Sequence, residues 1–320
     1  MRRKLTFGVV ALTALATAGV AAAANGGFTP ETPHSPNAHN TNTAYYVVLG
    51  FTAAIFLLVE GALVYFIWRY RGRNRARTEE GPQLHGQTRL EIGWTVLPVV
   101  ILAIIGTVIF IELPGISNAP ASTNPIRITV VGHQFYWEFE YPNGTRSINE
   151  LHAPVDQVVD LAVRSGDVVH SWYIPQLGGK IQAIPGRTNH TWFKADSIGT
   201  YYGQCAELCG IFHEAMAARV IVTSSADYTT YTSRTAAAAL GKTEFTGVCA
   251  TCHGMQGNGG YGPVISSNAQ ITDPKTLTPL LRNGNKNMPP VGDTWTPAQI
   301  KALTEYAKAH IYKGASTSGG

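Results

Sequence analysis

The chain has 320 residues, 45% hydrophobic and only 14% charged, a balance that fits a modular, membrane-attached protein of about two domains rather than one soluble core. The net charge of +4 is concentrated, because Arg69, Arg71, Arg73, Arg75, Arg77 and Arg89 crowd one short stretch, and this argues against nucleic-acid binding. The four cysteines form two close pairs whose neighbours suit metal chemistry, which leaves none for a structural disulfide.

Residues 1–24 carry Arg2, Arg3 and Lys4 and then an apolar run that ends in small residues. That layout predicts a secretory signal peptide cleaved near Ala23 or Ala24, with a retained anchor as the alternative. Residues 25–44, rich in Pro, Asn, Thr and Gly, read as an exported irregular segment. Residues 45–113 read as a transmembrane hairpin, because Tyr45–Trp68 and Trp94–Ile111 each approach the ~20 apolar residues that a crossing needs. The arginine-rich loop between them belongs in the cytoplasm by the positive-inside rule, which sends both hairpin ends and the C-terminal part outward. Glu60, inside the first span, is a functional candidate because a carboxylate there is costly, with a carboxylate partnered at a neighbouring subunit as the alternative. Glu91 opens the second span, where an acid also suits the positive end of a helix dipole.

Residues 123–225 change character. Short runs rich in β-branched and aromatic residues (Ile126–Val131, Phe135–Tyr141, Val158–Arg164, His190–Lys194, Ala218–Val222) alternate with Pro, Gly and Asn, which predicts a β-sandwich or barrel. Within it, Cys205 and Cys209 stand four apart, His213 follows four later and Met216 three after that. Soft sulfur ligands with imidazole favour copper. A mononuclear blue-copper site needs one thiolate, so two suggest a dinuclear site bridged by both sulfurs. The further imidazole it requires is His170, in Asp167-Val168-Val169-His170-Ser171-Trp172. The plainer alternative is a buried thiol pair or a disulfide, with His and Met as core residues.

Residues 226–235, within a Ser/Thr/Ala-rich stretch, read as a linker, and residues 236–316 as a small helical domain. There Cys249-Ala250-Thr251-Cys252-His253 matches the c-type haem attachment pattern: two thiols for thioether bonds and an adjacent imidazole for iron. Of the four methionines, Met1 lies in the leader, Met216 is taken by copper and Met255 is too near His253 to reach the opposite haem face, which leaves Met288. Met288 sits before two prolines that stiffen an extended loop. Met/His ligation raises the iron potential, as electron-transfer cytochromes require. Thr243–Val248 reads as the end of a first helix, and Thr296–His310 as an amphipathic helix. A thioredoxin-like redox pair is the rival here, but it lacks a βαβ context and leaves His253 and Met288 unexplained.

The run Gly203-Gln204-Cys205-Ala206-Glu207-Leu208-Cys209-Gly210-Ile211-Phe212-His213-Glu214-Ala215-Met216, with the upstream His170-Ser171-Trp172, resembles the dinuclear copper (CuA) site of cytochrome c oxidase subunit II. The likeness covers about residues 45–222, and residues 236–312 resemble a class I cytochrome c. Together they resemble subunit II of oxidases with a fused cytochrome c, the caa3 type. The resemblance implies a multidomain membrane protein: a two-helix transmembrane hairpin, an all-β Greek-key cupredoxin domain and a small all-α cytochrome c domain. It implies CuA held by His170, Cys205, Cys209, His213 and Met216, with the backbone carbonyl of Glu207, and haem c held by Cys249, Cys252, His253 and Met288. It also implies that the Glu207 carboxylate reaches a magnesium ion at the subunit I interface, and that Glu91 marks the mouth of a proton pathway.

Two positions depart from the family. Phe135 stands where the resemblance places a Trp through which electrons enter from a docked cytochrome in many members, and Gln182 where an Asp is common. Whether Tyr136 or Trp137 substitutes is left open, with core packing the alternative for these residues. The implied function is an electron inlet in the bacterial inner membrane with both redox domains outside. An exported cytochrome c or other redox protein is the donor, and subunit I, among other oxidase subunits, reduces O2 to water with proton translocation. Three rivals share parts of the pattern: a quinol oxidase subunit II, which would lack the copper ligands, a copper-delivery protein on a thioredoxin fold, and a nitrous or nitric oxide reductase with a CuA domain.

Overall fold

In the computed structural model, residues 29–71, 83, 85–122, 124–234 and 240–314 are described. The expected signal peptide, Arg73, Arg75 and Arg77 of the basic loop, and residues 315–316 lie outside them. The described part falls into two units, His39–Ser117 and a second made of residues up to Ala38 together with Asn118 onward.

The first unit holds helices α1 (Pro36–Arg69) and α2 (Thr88–Ser117), both longer than the apolar runs that predict them. The best 18-residue windows have mean hydropathy 2.4 and 2.7, and neither window buries any of its residues within the protein. At 34 residues α1 is about 51 Å long, well beyond the ~30 Å hydrocarbon layer. Ile55, Leu57, Leu58, Ile67, Leu102 and Phe110 are all exposed, which suits a lipid environment. The stretch 25–44 is not wholly irregular, because Pro36, at the first helical position, opens α1 within it.

The second unit begins with a β-sandwich. One sheet has the order β3-β2-β1-β5-β8 and the other β4-β10-β9-β6-β7. The strands are β1 (Ile126–His133), β2 (Tyr136–Glu140), β3 (Arg146–Ile148), β4 (Glu150–Pro154), β5 (Val159–Ser165), β6 (His170–Tyr173), β7 (Ile181–Ala183), β8 (Asn189–Phe193), β9 (Gly199–Cys205) and β10 (Ala217–Thr223). Two parallel pairings, β1 with β5 and β4 with β10, sit among antiparallel ones, so the chain crosses between sheets rather than meandering. In β5 every second residue is buried, the period-two pattern of a strand with one face on a core. That core mixes aliphatic and aromatic side chains, and within it Trp137 meets Trp172 edge-on with ring centroids 5.3 Å apart.

The stretch expected to be a linker is largely helical: α3 spans Ser225–Arg234, and its Tyr228 and Tyr231 pack on the sandwich core. The remaining chain forms a small helical domain. α4 (Leu240–Glu244) runs through a π-helical turn (Phe245–Cys249) into α5 (Ala250–His253), and α6 (Pro274–Asn283) and α7 (Pro297–His310) follow. α7 starts with a full capping box between Thr296 and Gln299. This helical domain is joined to the sandwich by a shared interior, because Tyr136 and Ile148 lie in the same buried cluster as Phe245, Trp295 and Leu303. Tyr136 Oη donates to the Val291 carbonyl at 2.6 Å and accepts from Trp295 Nε1 at 3.1 Å. Asn149 Nδ2 donates to the Gly247 carbonyl at 3.0 Å.

Candidate copper and haem centres

β6 and β9 are hydrogen-bonded neighbours with Trp172 opposite Cys205, which sets His170 beside the end of β9. The loop leaving Cys205 returns to β10 at once, because Cys205 N–H donates to the Met216 carbonyl at 2.9 Å. An eleven-residue excursion is thus pinned at both ends by the sheet, and the soft donors inside it face inward.

His170 and Met216 are fully buried, and Cys205 and Cys209 are nearly so. One ligand atom from each of His170, Cys205 and Cys209 lies within 4.8 Å of the others. The two sulfurs are 3.9 Å apart, and His170 Nδ1 lies 3.9 Å from Cys205 Sγ. On the other side, His213 Nδ1 lies 3.4 Å and Met216 Sδ 3.8 Å from Cys209 Sγ. The Glu207 carbonyl is 3.2 Å from Cys205 Sγ. All six positions expected from the motif are therefore brought to one spot, and no disulfide closes between the sulfurs.

The protonation chemistry also fits a cation. Burial pushes the Cys205 thiol up, but the hydrogen bond with His170 and other partners outweighs it and brings the thiol down to about 7. Cys209 goes the other way, pushed up to about 12 by burial and by the neighbouring Cys205. Two thiols this close cannot both ionise comfortably without positive charge between them, and metal binding supplies that charge as the protons leave.

Sequence reasoning missed Asp167 and Gln134. Asp167 Oδ1 lies 2.7 Å from His170 Nε2, which leaves Nδ1 to face the sulfurs. Its other oxygen accepts from the Gln134 backbone N–H at 2.6 Å, while Gln134 Nε2 donates to the Cys209 carbonyl at 2.6 Å. Burial raises the Asp167 carboxyl, but the bonds from His170 and the Gln134 N–H more than offset it and hold it below the usual range. An Asp three residues before a ligand His was the available signal. Gln182 is exposed rather than packed in the core, and its amide lies 3.4 Å from the Glu207 carboxylate. Neither Tyr136 nor Trp137 is open to an outside partner: both are fully buried, Tyr136 beneath the helical domain and Trp137 against His170 and Trp172.

In the helical domain, Cys249, Cys252 and His253 follow one another along the helical stretch from the π turn through α5. His253 Nδ1 donates to the Pro263 carbonyl at 2.8 Å, so Nε2 is the free ligand nitrogen. Gly262 lies so close to that ring that a Cβ there would come within 2.8 Å of it. Met288 and Cys249 pack against the same apolar cluster, and the Met288 backbone is held by Asn285 through bonds of 2.9 Å. The donor set fits a c-type haem: two free thiols, an imidazole oriented by a carbonyl, and a thioether at the rim of the same core. Glu91, in the other unit, caps α2, its carboxylate accepting from the Gln87 backbone N–H at 3.0 Å.

Comparison with known proteins accounts for these parts together. Three family models match: the transmembrane domain of cytochrome c oxidase subunit II over residues 23–111, its periplasmic domain over 145–224, and cytochrome c oxidase, cbb3-type, subunit III over 236–306. The chain is 32% identical over 244 residues to cytochrome c oxidase subunit 2 of Alkalihalophilus pseudofirmus, covering 70% of each protein. The chain belongs to the cytochrome c oxidase subunit 2 family. A probable cytochrome c oxidase subunit 2 of Rickettsia bellii is 33% identical over 224 residues, covering 63% of this chain and 81% of that protein. Among solved structures, the periplasmic domain of subunit II of cytochrome oxidase from Bradyrhizobium japonicum is 32% identical over 37% of this chain and 96% of that one, with a TM-score of 0.35.

As a member of this family, the chain is part of a haem-copper terminal oxidase and has a role in electron transfer, with a cytochrome c domain at its C-terminal side. Copper and haem are the cofactors its domains imply, and the Cys205, Cys209 and His170 cluster fits CuA.

Proposed function

We propose that this chain is the electron inlet of its oxidase: its cytochrome c domain accepts electrons from an exported cytochrome c or another redox protein, and its cupredoxin domain passes them to subunit I. Reduction of O2 to water and proton translocation belong to subunit I. Haem c and dinuclear copper supply one-electron carriers that change charge without making or breaking bonds in the protein.

The observation that carries this reading is the buried group of two thiols and an imidazole within 4.8 Å, with His213 and Met216 at 3.4 and 3.8 Å from one of the sulfurs. Cys205 and Cys209 would hold the copper pair as thiolates, with His170 and His213 as imidazole donors, Met216 as a weak thioether donor and the Glu207 carbonyl completing the set. Holding them in a sandwich core limits rearrangement as charge changes, and Asp167 fixes the His170 tautomer. Cys249 and Cys252 would carry the covalent attachment of haem, and His253 and Met288 would supply its imidazole and thioether donors. Protein donors that fill both centres in this way would leave neither with room for O2.

The Glu207 carboxylate, with Gln182 beside it, is the hard oxygen donor offered to magnesium at the subunit I interface. Glu91 is the proposed mouth of a proton pathway, a role supported by its place at the start of α2. Two apolar helices flanking a basic stretch support a multi-pass subunit of the bacterial inner membrane, its hairpin contacting lipid and its other subunits and both redox domains outside.

Paramagnetic resonance on the metal-replete, oxidised full chain tests the copper assignment. Seven hyperfine lines from an electron shared by two nuclei are expected, and four lines from one nucleus would refute it.

A further inference from the structure

The cytochrome c domain covers Tyr136 of the cupredoxin domain, yet the two site loops also touch at a second place, through aromatic rings. Phe212 directly precedes His213 and lies on the loop that holds the soft donors. Its ring meets that of Tyr261 edge-on, with centroids 4.4 Å apart and planes at 89°. Tyr261 directly precedes Gly262 and Pro263, the pair that wraps the His253 imidazole. Gly262 lies against that ring and the Pro263 carbonyl accepts from Nδ1 at 2.8 Å. On the other flank Phe135 braces Phe212, with ring centroids 5.4 Å apart. Phe135 reaches there over Gly210, where a Cβ would come within 2.9 Å of the ring.

The two imidazoles, His213 and His253, are therefore joined by covalent backbone, one hydrogen bond and a single non-bonded step between two rings. Coupling between donor and acceptor falls steeply across each non-bonded gap and slowly along bonds, so a route with one tight gap dominates routes with several.

We infer that the Phe212–Tyr261 contact is the point where a single electron crosses from the haem-bearing domain to the copper-bearing domain, with Phe135 as its brace. The inference rests on the reading of the two sites given under Proposed function. One electron leaves ferrous haem, which becomes ferric, and arrives at the oxidised copper pair, which is reduced by one. No proton moves and no bond is made or broken. The electron that refills the haem comes from the external redox donor. Phe135 itself is part-buried behind this contact, held between Gly210 and Phe212.

The test uses the full chain in detergent, loaded with haem and copper. The haem is reduced by one electron from a flash-excited photoreductant in solution and its oxidation by the copper site is followed optically, alongside the midpoint potential of each centre. Phe212→Ala and Tyr261→Ala should each slow the exchange roughly tenfold or more, because truncation leaves a gap where packed atoms stood. Both potentials and both absorption spectra should stay unchanged, and Tyr261→Phe should restore the rate. Tyr136→Phe removes the hydroxyl that ties the domains together elsewhere, and should leave the rate within about twofold of the parent. Alanine variants that match the parent rate, or a Tyr136→Phe variant as slow as they are, would overturn the inference, since the rings would then only dock the domains. A chain with no covalent haem or no copper by metal analysis would overturn the reading of the sites itself, a result distinct from an unchanged rate.

Discussion

Glu244 is a carboxylate at the seam between the cytochrome c and cupredoxin domains, with no solvent exposure. Among the described residues neither of its oxygens makes a well-aligned hydrogen bond, and Gln299 supplies only a weak one. Burial, with Glu138 adding to it, outweighs the weak bond from Gln299 and the Arg146 charge and raises the carboxyl from 4.5 to about 8. A displacement of that size corresponds to about 5 kcal/mol at most between the charged and neutral forms, and to less where water reaches the charge. Between pH 4.5 and about 8 the folded chain keeps a proton that the unfolded chain releases, so stability declines as pH rises through that window. Below it both states are protonated, and above it both are ionised.

Glu244→Gln removes the titration. The variant should be close to the parent near pH 4.5, apart from a constant offset for burying an amide. It should gain on the parent steadily up to about pH 8 and hold a lead of a few kcal/mol beyond. Glu138, Arg146 and Gln299 act on the Glu244 charge itself, so their effects are part of the difference between the two proteins. Guanidinium unfolding of the haem-loaded full chain, read by haem absorption at each pH, measures this. Parallel stability curves for the two proteins from pH 4.5 to 9 would refute the argument, because the carboxylate would then be solvated or paired.

Three further outcomes are expected. Met216→Leu should leave copper bound and shift its potential, since a weak axial ligand tunes such a site more than it holds it; redox titration gives the answer. Cys249→Ala should abolish stable covalent haem and spare copper, as a pyridine haemochrome assay and copper analysis would show together. Asp167→Ala frees the far nitrogen of His170 and should weaken copper binding about 10- to 100-fold, read by competition with a chelator, while haem content stays normal.

Glu138 illustrates how the two domains share one interior. It is almost fully buried, and burial alone would raise its carboxyl. His133 and Arg146, the latter at 2.5 Å, outweigh that and hold it below the usual range. Gln299, from the cytochrome c domain, comes within 3.5 Å of the same oxygen. Nothing in the spacing of residues 138, 146 and 299 announces this meeting, because their proximity comes from two domains docking and not from any periodicity.

What the chain's own pattern settled was whatever depends on short spacing. The two apolar stretches, the alternating strands, the soft donors of residues 205–216 and the haem attachment run are local, and geometry within a loop or a helical turn follows from sequence separation. Tertiary structure alone decided the long-range contacts: His170 reaching the sulfurs through the pairing of β6 with β9, α3 in place of a bare linker, and Phe212 meeting Tyr261. These contacts join residues far apart in the chain, and only the packing of sheets and domains fixes which distant side chains meet.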